Sequence, residues 1–327
     1  MIDETPETLF PLSQVKDSPV VEIPERLTVL EALIFKQTVG KLLQQNTVRQ
    51  QILLDFSRTR FIDSSGIGAL ISNFKLARAS NIELILDSVQ PPVMATLSMA
   101  GLSDILNIKS TITSANWSRK ASFETHPSVR SITKRVIDVI GALVGLTITG
   151  IIFVPVAIAI KSSSKGSILF HQTRCGWVGR KFQIWKFRSM YSNAEVLKKQ
   201  IKNQAEGAFF KNDNDPRITP VGRFLRRTSL DEFPQFWNVL KGDMSLVGTR
   251  PPTPEEVEAY QIPEWQRLNV KPGMTGEWQV YGRSQVRNFE DVIKLDLRYQ
   301  RNWSLGHDIK LILKTLAIIF RKDNGAV

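Results

Sequence analysis

The sequence predicts an α/β module followed by a mostly helical half built on a membrane-inserted helix. Three observations predict it. Strand-like and helix-like segments alternate through the first 108 residues or so. A run of 22 residues without a charged side chain, Val139 to Ile160, opens the second half. The charge is also lopsided. Up to Ile112 there are 10 Lys and Arg against 12 Asp and Glu, and beyond it 33 against 19, within a net charge of +12 over 327 residues. The second half therefore seeks something negative, either nucleic acid or phosphate-bearing lipid and substrate.

The N-terminal elements follow in order. VVEIP reads as a strand. Thr28 to Gln45 carries Val29, Leu30, Leu33, Ile34, Val39, Leu42 and Leu43 at helical spacing. QQILLDF is a short buried strand, and DSSGIGALISNFKLARASN runs from cap residues into an amphipathic helix. IELILDS is a further strand and PVMATLSMAGLSDIL a last helix. Such alternation implies a sheet flanked by helices. Ser110 to Val129 is rich in Ser and Thr with no apolar period, and reads as a linker. The expected division is an α/β module over 1–112, a linker over 113–130 and the second half over 131–327.

The apolar run is long enough to cross a bilayer as one helix. Two details favour another geometry. Pro155 lies inside the run, where it removes a backbone donor and crowds the preceding turn. Both flanks are basic, with Arg130, Lys134 and Arg135 before and Lys161, Lys165 and Arg174 after. Basic flanks prefer the cytoplasmic side. A segment that keeps both ends there must enter and return, which predicts a re-entrant helix over about 136–160, broken at Pro155.

The densest chemistry lies in RRTSLDEFPQFWNVLKGDMSLVGTRPP, Arg226 to Pro252. Asp231 and Glu232 sit among Arg223, Arg226, Arg227 and Arg250. A carboxylate facing arginines is expected to stay ionised with a depressed pKa, and guanidinium forks grip phosphate oxygens at two points. An ionised aspartate beside phosphate acts as a nucleophile or holds magnesium. Ser229 and Glu232 also stand at capping-box spacing, so the pair is equally readable as a helix start. The two readings are compatible, because a helix N-terminus attracts anions. The lone cysteine, Cys175, excludes an intramolecular disulfide. No helix-turn-helix, RNP or zinc pattern appears, which argues against nucleic acid.

Four blocks resemble, in order, the bacterial sugar transferases, the monotopic phosphoglycosyl transferases. They are SKGSILFHQTRCGWVGRKFQIWKFRSM, DPRITPVGRFLRRTSLDEFPQFWNVLKGDMSLVGTRPP, KPGMTGEWQVYGRS and YQRNWSLGHDIKLILKTL. The resemblance implies transfer of a sugar phosphate from a UDP-sugar to undecaprenyl phosphate with release of UMP. It further implies Asp231 as nucleophile and magnesium contact, with Glu232 as metal contact or base. Lys186, Arg188, Arg226, Arg250 and Arg283 are the phosphate-facing candidates, Mg2+ the cofactor, and the cytoplasmic face of the bacterial inner membrane the place of work. A second copy of the chain is an expected partner. The sequence departs from the family in Thr249 for a usual proline, Glu277 for a usual apolar residue, and Val154 for a frequent serine before Pro155.

FIDSSGIGALI resembles the phosphorylation segment of STAS domains. It implies Ser64 as a phosphoacceptor and a protein or kinase partner for the module. The plainer reading is that Ser64 or Ser65 caps the helix. Two further alternatives stay open: a signalling protein whose second half is only an anchor, and a buried rather than interfacial tail helix over GHDIKLILKTLAIIF.

Overall fold

The computed structural model describes residues 9–15, 18–44, 50–109, 125–198, 214–282 and 288–320, with a few single positions between them. The chain forms two compact units, the first containing the N-terminal module and the second most of the remainder from Pro127.

In the first unit a five-stranded sheet runs β1 (Leu12–Val15), β2 (Ser18–Glu22), β3 (Gln51–Asp55), β4 (Glu83–Asp87) and β5 (Asn107–Ile108), in that spatial order. β1 is antiparallel to β2, and the other pairs are parallel. Parallel neighbours need crossover connections, and these are α1 (Val29–Gln44), α2 (Ser64–Ala79) and α3 (Pro91–Met99). Ile52, Leu54, Leu84 and Leu86 are buried in the central strands, as runs covered on both faces must be. The sequence pattern locates the elements here except β1, whose four residues are all exposed and show no alternation, and β5, which follows a stretch read as helix to Leu106 although α3 ends at Met99.

α2 starts at Ser64, but neither serine caps it. The cap is Asp63, whose side chain accepts from the Gly66 amide at 3.0 Å. Aspartate is among the best N-caps, so it takes the position and Ser64 becomes the first helical residue. Gly66 has no room for a side chain: a Cβ there would meet the Leu27 carbonyl at 2.5 Å and the Ile62 side chain at 2.7 Å.

The second unit is organised by α4, Ile132–Ser163, capped by the Ser131 hydroxyl. The sequence predicts a break at Pro155. The structure instead keeps one hydrogen-bonded helix through that residue. Proline deletes a single intrahelical bond, and the turns on either side re-form the helix around it. The expected linker over 113–130 lies mostly outside the described residues, and its end, Pro127–Arg130, is a helical turn.

One side of α4 is covered along almost its whole length. Lys134, Asp138, Ala142, Gly145, Thr149, Val156 and Ile160 are buried at spacings of three, four and seven, the repeat of a single helical face. At the N-terminal end the Lys134 ammonium donates to Asp308 at 2.6 Å and to the Val247 carbonyl at 3.0 Å. Asp138 accepts from the Ser245 hydroxyl and the Leu246 amide, both at 2.9 Å. Arg135 donates to the carbonyls of Val239 and Leu240 at 2.7 Å each. These carbonyls end α6 (Phe236–Lys241), where a cation is favoured. In the middle, Gly145 lies against the Phe236 ring. At the C-terminal end Val156 and Ile160 pack with Phe187 and Leu225. Lys134, read from sequence as part of the basic flank, is thus a buried ion-pair partner. The opposite side shows Ile140, Leu143, Val144, Ile148, Ile151, Val154 and Ile158 to the exterior.

Candidate active site

A β-hairpin provides the floor of the site. β6 (Leu169–Cys175) pairs antiparallel with β7 (Lys181–Phe187), with Phe170 opposite Lys186, Gln172 opposite Ile184 and Arg174 opposite Phe182. Directly paired residues share a face, so Lys186, Gln172 and Arg174 stand in a row on one side.

The Asp231–Glu232 pair sits over this hairpin in a 3-10 turn, Leu230–Gln235. The capping box expected from Ser229 and Glu232 does not form. Ser229 takes a left-handed conformation (φ 56°) and makes no capping bond. Pro234 lacks the N–H an α-helix would need there, and the tighter turn results. The turn follows α5, Pro220–Arg227, which ends in Arg226 and Arg227. Three-residue periodicity keeps the two acids on different sides. Asp231 is buried, and Glu232 is partly exposed with an oxygen 2.7 Å from the Lys186 ammonium.

Burial sets the protonation of Asp231. Its carboxyl is pushed up to about 6, first by loss of water; Lys186 and Arg226 pull it down, while Glu232 pushes it further up. The sequence reading expected the arginines to depress it. Exclusion of water outweighs them here, because the charged form loses hydration that two partial neighbours do not replace.

Arg226 is oriented by donation from Nε to the Ser189 hydroxyl at 3.1 Å. Arg250 forms a two-point pair with Glu256 at 2.8 and 3.2 Å, and its guanidinium lies 5.8 Å from the Trp278 ring centre. Glu256 is itself fixed by the capping box of α7, Pro254–Glu258. Arg188 does not face this group: its guanidinium is buried on the carbonyls of Ser164, at 2.7 Å, and Lys165, where it braces the chain leaving α4. Arg283 lies outside the described residues.

Sequence reasoning missed Arg174, counted there only as a basic flank. Its Nη1 donates to the Pro251 carbonyl at 2.9 Å and its Nη2 to Gln172 at 2.7 Å. Burial and the neighbouring Arg250 charge lower its pKa to about 10. A bound anion would offset both the lost water and the like charge that Arg174 bears. Even spacing from Lys186 along a hairpin was the signal that could have exposed it, once the register was known. Cys175 is buried, and its thiol is pushed up to about 11, so it is inert filler.

Among the described residues no three His, Cys, Asp or Glu side chains gather into a metal cage. Magnesium commonly takes one or two carboxylates and completes its shell from phosphate oxygens and water. Asp231 as a single carboxylate, completed by phosphate oxygens and water, would fit that sparse donor set.

The family model for bacterial sugar transferases matches residues 129–322. The chain belongs to the bacterial sugar transferase family. In front of this sugar transferase, residues 11–115 match the STAS domain model. The sugar transferase is 49% identical over 190 residues to galactosyl transferase CpsE of Streptococcus agalactiae, covering 58% of this chain and 42% of that one. It is 41% identical over 196 residues to the UDP-glucose:undecaprenyl-phosphate glucose-1-phosphate transferase of Escherichia coli, covering 58% and 40%. Against the exopolysaccharide production protein ExoY of Rhizobium meliloti the figures are 36% over 197 residues, 58% and 87%. The chain thus spans about two fifths of the first two relatives and most of the third. Among solved structures, the Bacillus anti-sigma factor antagonist SpoIIAA aligns at 20% identity over 32% of this chain and 89% of that one, with a TM-score of 0.26.

Proposed function

We propose that this sugar transferase moves a sugar 1-phosphate from a UDP-sugar to undecaprenyl phosphate, releasing UMP and beginning an exopolysaccharide or glycoconjugate unit. The observation that carries the reading is the buried Asp231 carboxyl, under the influence of Lys186 and Arg226, with a further cation pair, Arg174 and Arg250, that Glu232 also feels. Phosphoryl transfer asks mainly for positioning and for charge stabilisation of this kind. The names of the relatives supply the substrate classes, a UDP-sugar and undecaprenyl phosphate.

In this mechanism a carboxylate oxygen of Asp231 attacks the β-phosphorus of the donor. The bond from that phosphorus to the bridging oxygen breaks, and its electron pair leaves with UMP. The phosphosugar is then held as an acyl phosphate on Asp231. An oxygen of undecaprenyl phosphate attacks the same phosphorus, and the Asp231 carboxylate departs. Lys186 and Arg226 favour the ionised nucleophile. Arg174 and Arg250 hold donor phosphate oxygens. Glu232 keeps Lys186 in place and is the nearest base. Magnesium, carried by Asp231 and the donor's phosphates, would supply further charge neutralisation on the leaving UMP.

The same reading sets the protein on the cytoplasmic face of the inner membrane, anchored from one side. The covered face of α4 supports this. Its two ends, at Lys134 and Ile160, are both bound to residues of a single folded unit, while the far side is an apolar stripe for lipid. The tail helix α8, Leu305–Phe320, adds exposed Ile309, Leu313 and Leu316 at the spacing of an interfacial helix.

Incubation of the purified protein with a UDP-sugar alone, followed by mass spectrometry of the intact chain, tests the mechanism. A sugar-phosphate adduct mapped to Asp231 is expected. Steady turnover with no such adduct would overturn the covalent route.

A further inference from the structure

The first unit is not built from the N-terminal sequence alone. It also contains Tyr260–Asn269, which lies within the stretch matched as sugar transferase and far outside the stretch matched as STAS. This segment, mostly the 3-10 turns of Ile262–Asn269, packs on the start of α2.

The Trp265 indole lies flat over Gly68, so close that a Cβ on Gly68 would come within 2.6 Å of the ring. Asn269 reaches the helix end itself. Its Oδ1 accepts from the Ser64 amide at 2.9 Å, and its Nδ2 donates to Asp63 at 3.4 Å. A first-turn amide has no partner inside its own helix and is the natural contact for an anion; here a neutral carboxamide holds it. The segment is internally stiff. Fully buried Arg267 donates to the Tyr260 hydroxyl at 2.7 Å, and Tyr260 meets Trp265 edge-on. Ser64 and Ser65 are fully buried, and neither hydroxyl has a hydrogen-bond partner among the described residues.

We propose that Tyr260–Asn269 is a built-in ligand for the Ser64 face of the STAS module. An external protein, or an enzyme acting on Ser64, reaches that face only by displacing Trp265 and Asn269.

The test uses the full-length protein with Cys175→Ala and Ser64→Cys, and measures the rate of alkylation by N-ethylmaleimide. A thiol at a helix N-terminus is reactive once exposed. Slow labelling is expected, rising at least tenfold with Trp265→Ala, with Asn269→Ala, or with Gly68→Leu, which expels the indole without altering the segment. Hydrogen exchange in Ile52–Leu54 and Leu84–Leu86 reports whether the module stays folded in each variant. In the unsubstituted protein, slow exchange of the Ser64 amide is the matching expectation. Equal labelling rates in parent and variants, or a Ser64 amide that exchanges as fast as an unpaired first-turn amide, would overturn the proposal.

Discussion

Asp231→Asn should abolish turnover and make the protein more stable. The substitution keeps the shape of the side chain and removes a charge from a water-poor position. The size of the gain follows from the shift. The carboxyl rises from 3.8 to about 6, roughly two units, and at about 1.4 kcal/mol per unit this is an upper bound of about 3 kcal/mol. For a domain of this size, each kcal/mol moves the melting temperature by roughly 2–4 °C. The sign fixes the pH window. Below about pH 4 the carboxyl is protonated in folded and unfolded chains alike, and wild type and variant should melt together. Between about 4 and 6 the unfolded chain ionises first, so wild-type stability falls relative to the variant. Above about 6 the gap should be constant. Melting curves of both proteins in one detergent, from pH 4 to 8, read this directly. A gap that ignores pH, or a variant that melts lower throughout, would refute the argument that burial dominates the site.

Other expectations follow from the same geometry. The rate of UMP formation should fall about tenfold per pH unit below about 6 as Asp231 protonates, a far higher limb than an ordinary carboxylate gives; a pH profile of kcat/KM checks it. Arg174→Lys keeps a charge but cannot bridge Pro251 and Gln172, and should lower kcat/KM for the UDP-sugar tenfold or more with little change in melting. Lys134→Met leaves Asp308 buried without its cation and should cost about 3–5 kcal/mol, read as loss of folded protein on denaturant titration. Cysteines placed at exposed Ile132 and Lys165 should both label from one side of sealed vesicles; labelling from opposite sides would exclude anchoring from one face.

The α/β module was legible because buried parallel strands and amphipathic crossovers leave different periods in the sequence. The acids at Asp231 and Glu232 were legible because so dense a set of arginines beside them is unusual. Their environment was not. Whether water or guanidinium dominates at Asp231 depends on how deeply the turn is set, and that is fixed by Pro234 and Ser229 acting together with the hairpin beneath. Arg174 was invisible for a related reason: which residues share a strand face with Lys186 depends on register, and one residue of slip would have put Arg174 on the other side. Pro155 misled because local chemistry weakens one turn, while the packed face of α4 extends on both sides of it.

The one-sided covering of α4 bears on the bilayer as well as on the protein. A helix of 32 residues is about 48 Å long. Laid into a single leaflet, it adds area to that leaflet and none to the other, a wedge that a flat membrane resists and a convex one accommodates. Under the proposed one-sided anchoring, such a protein would gather where lipid packing is loose or strained.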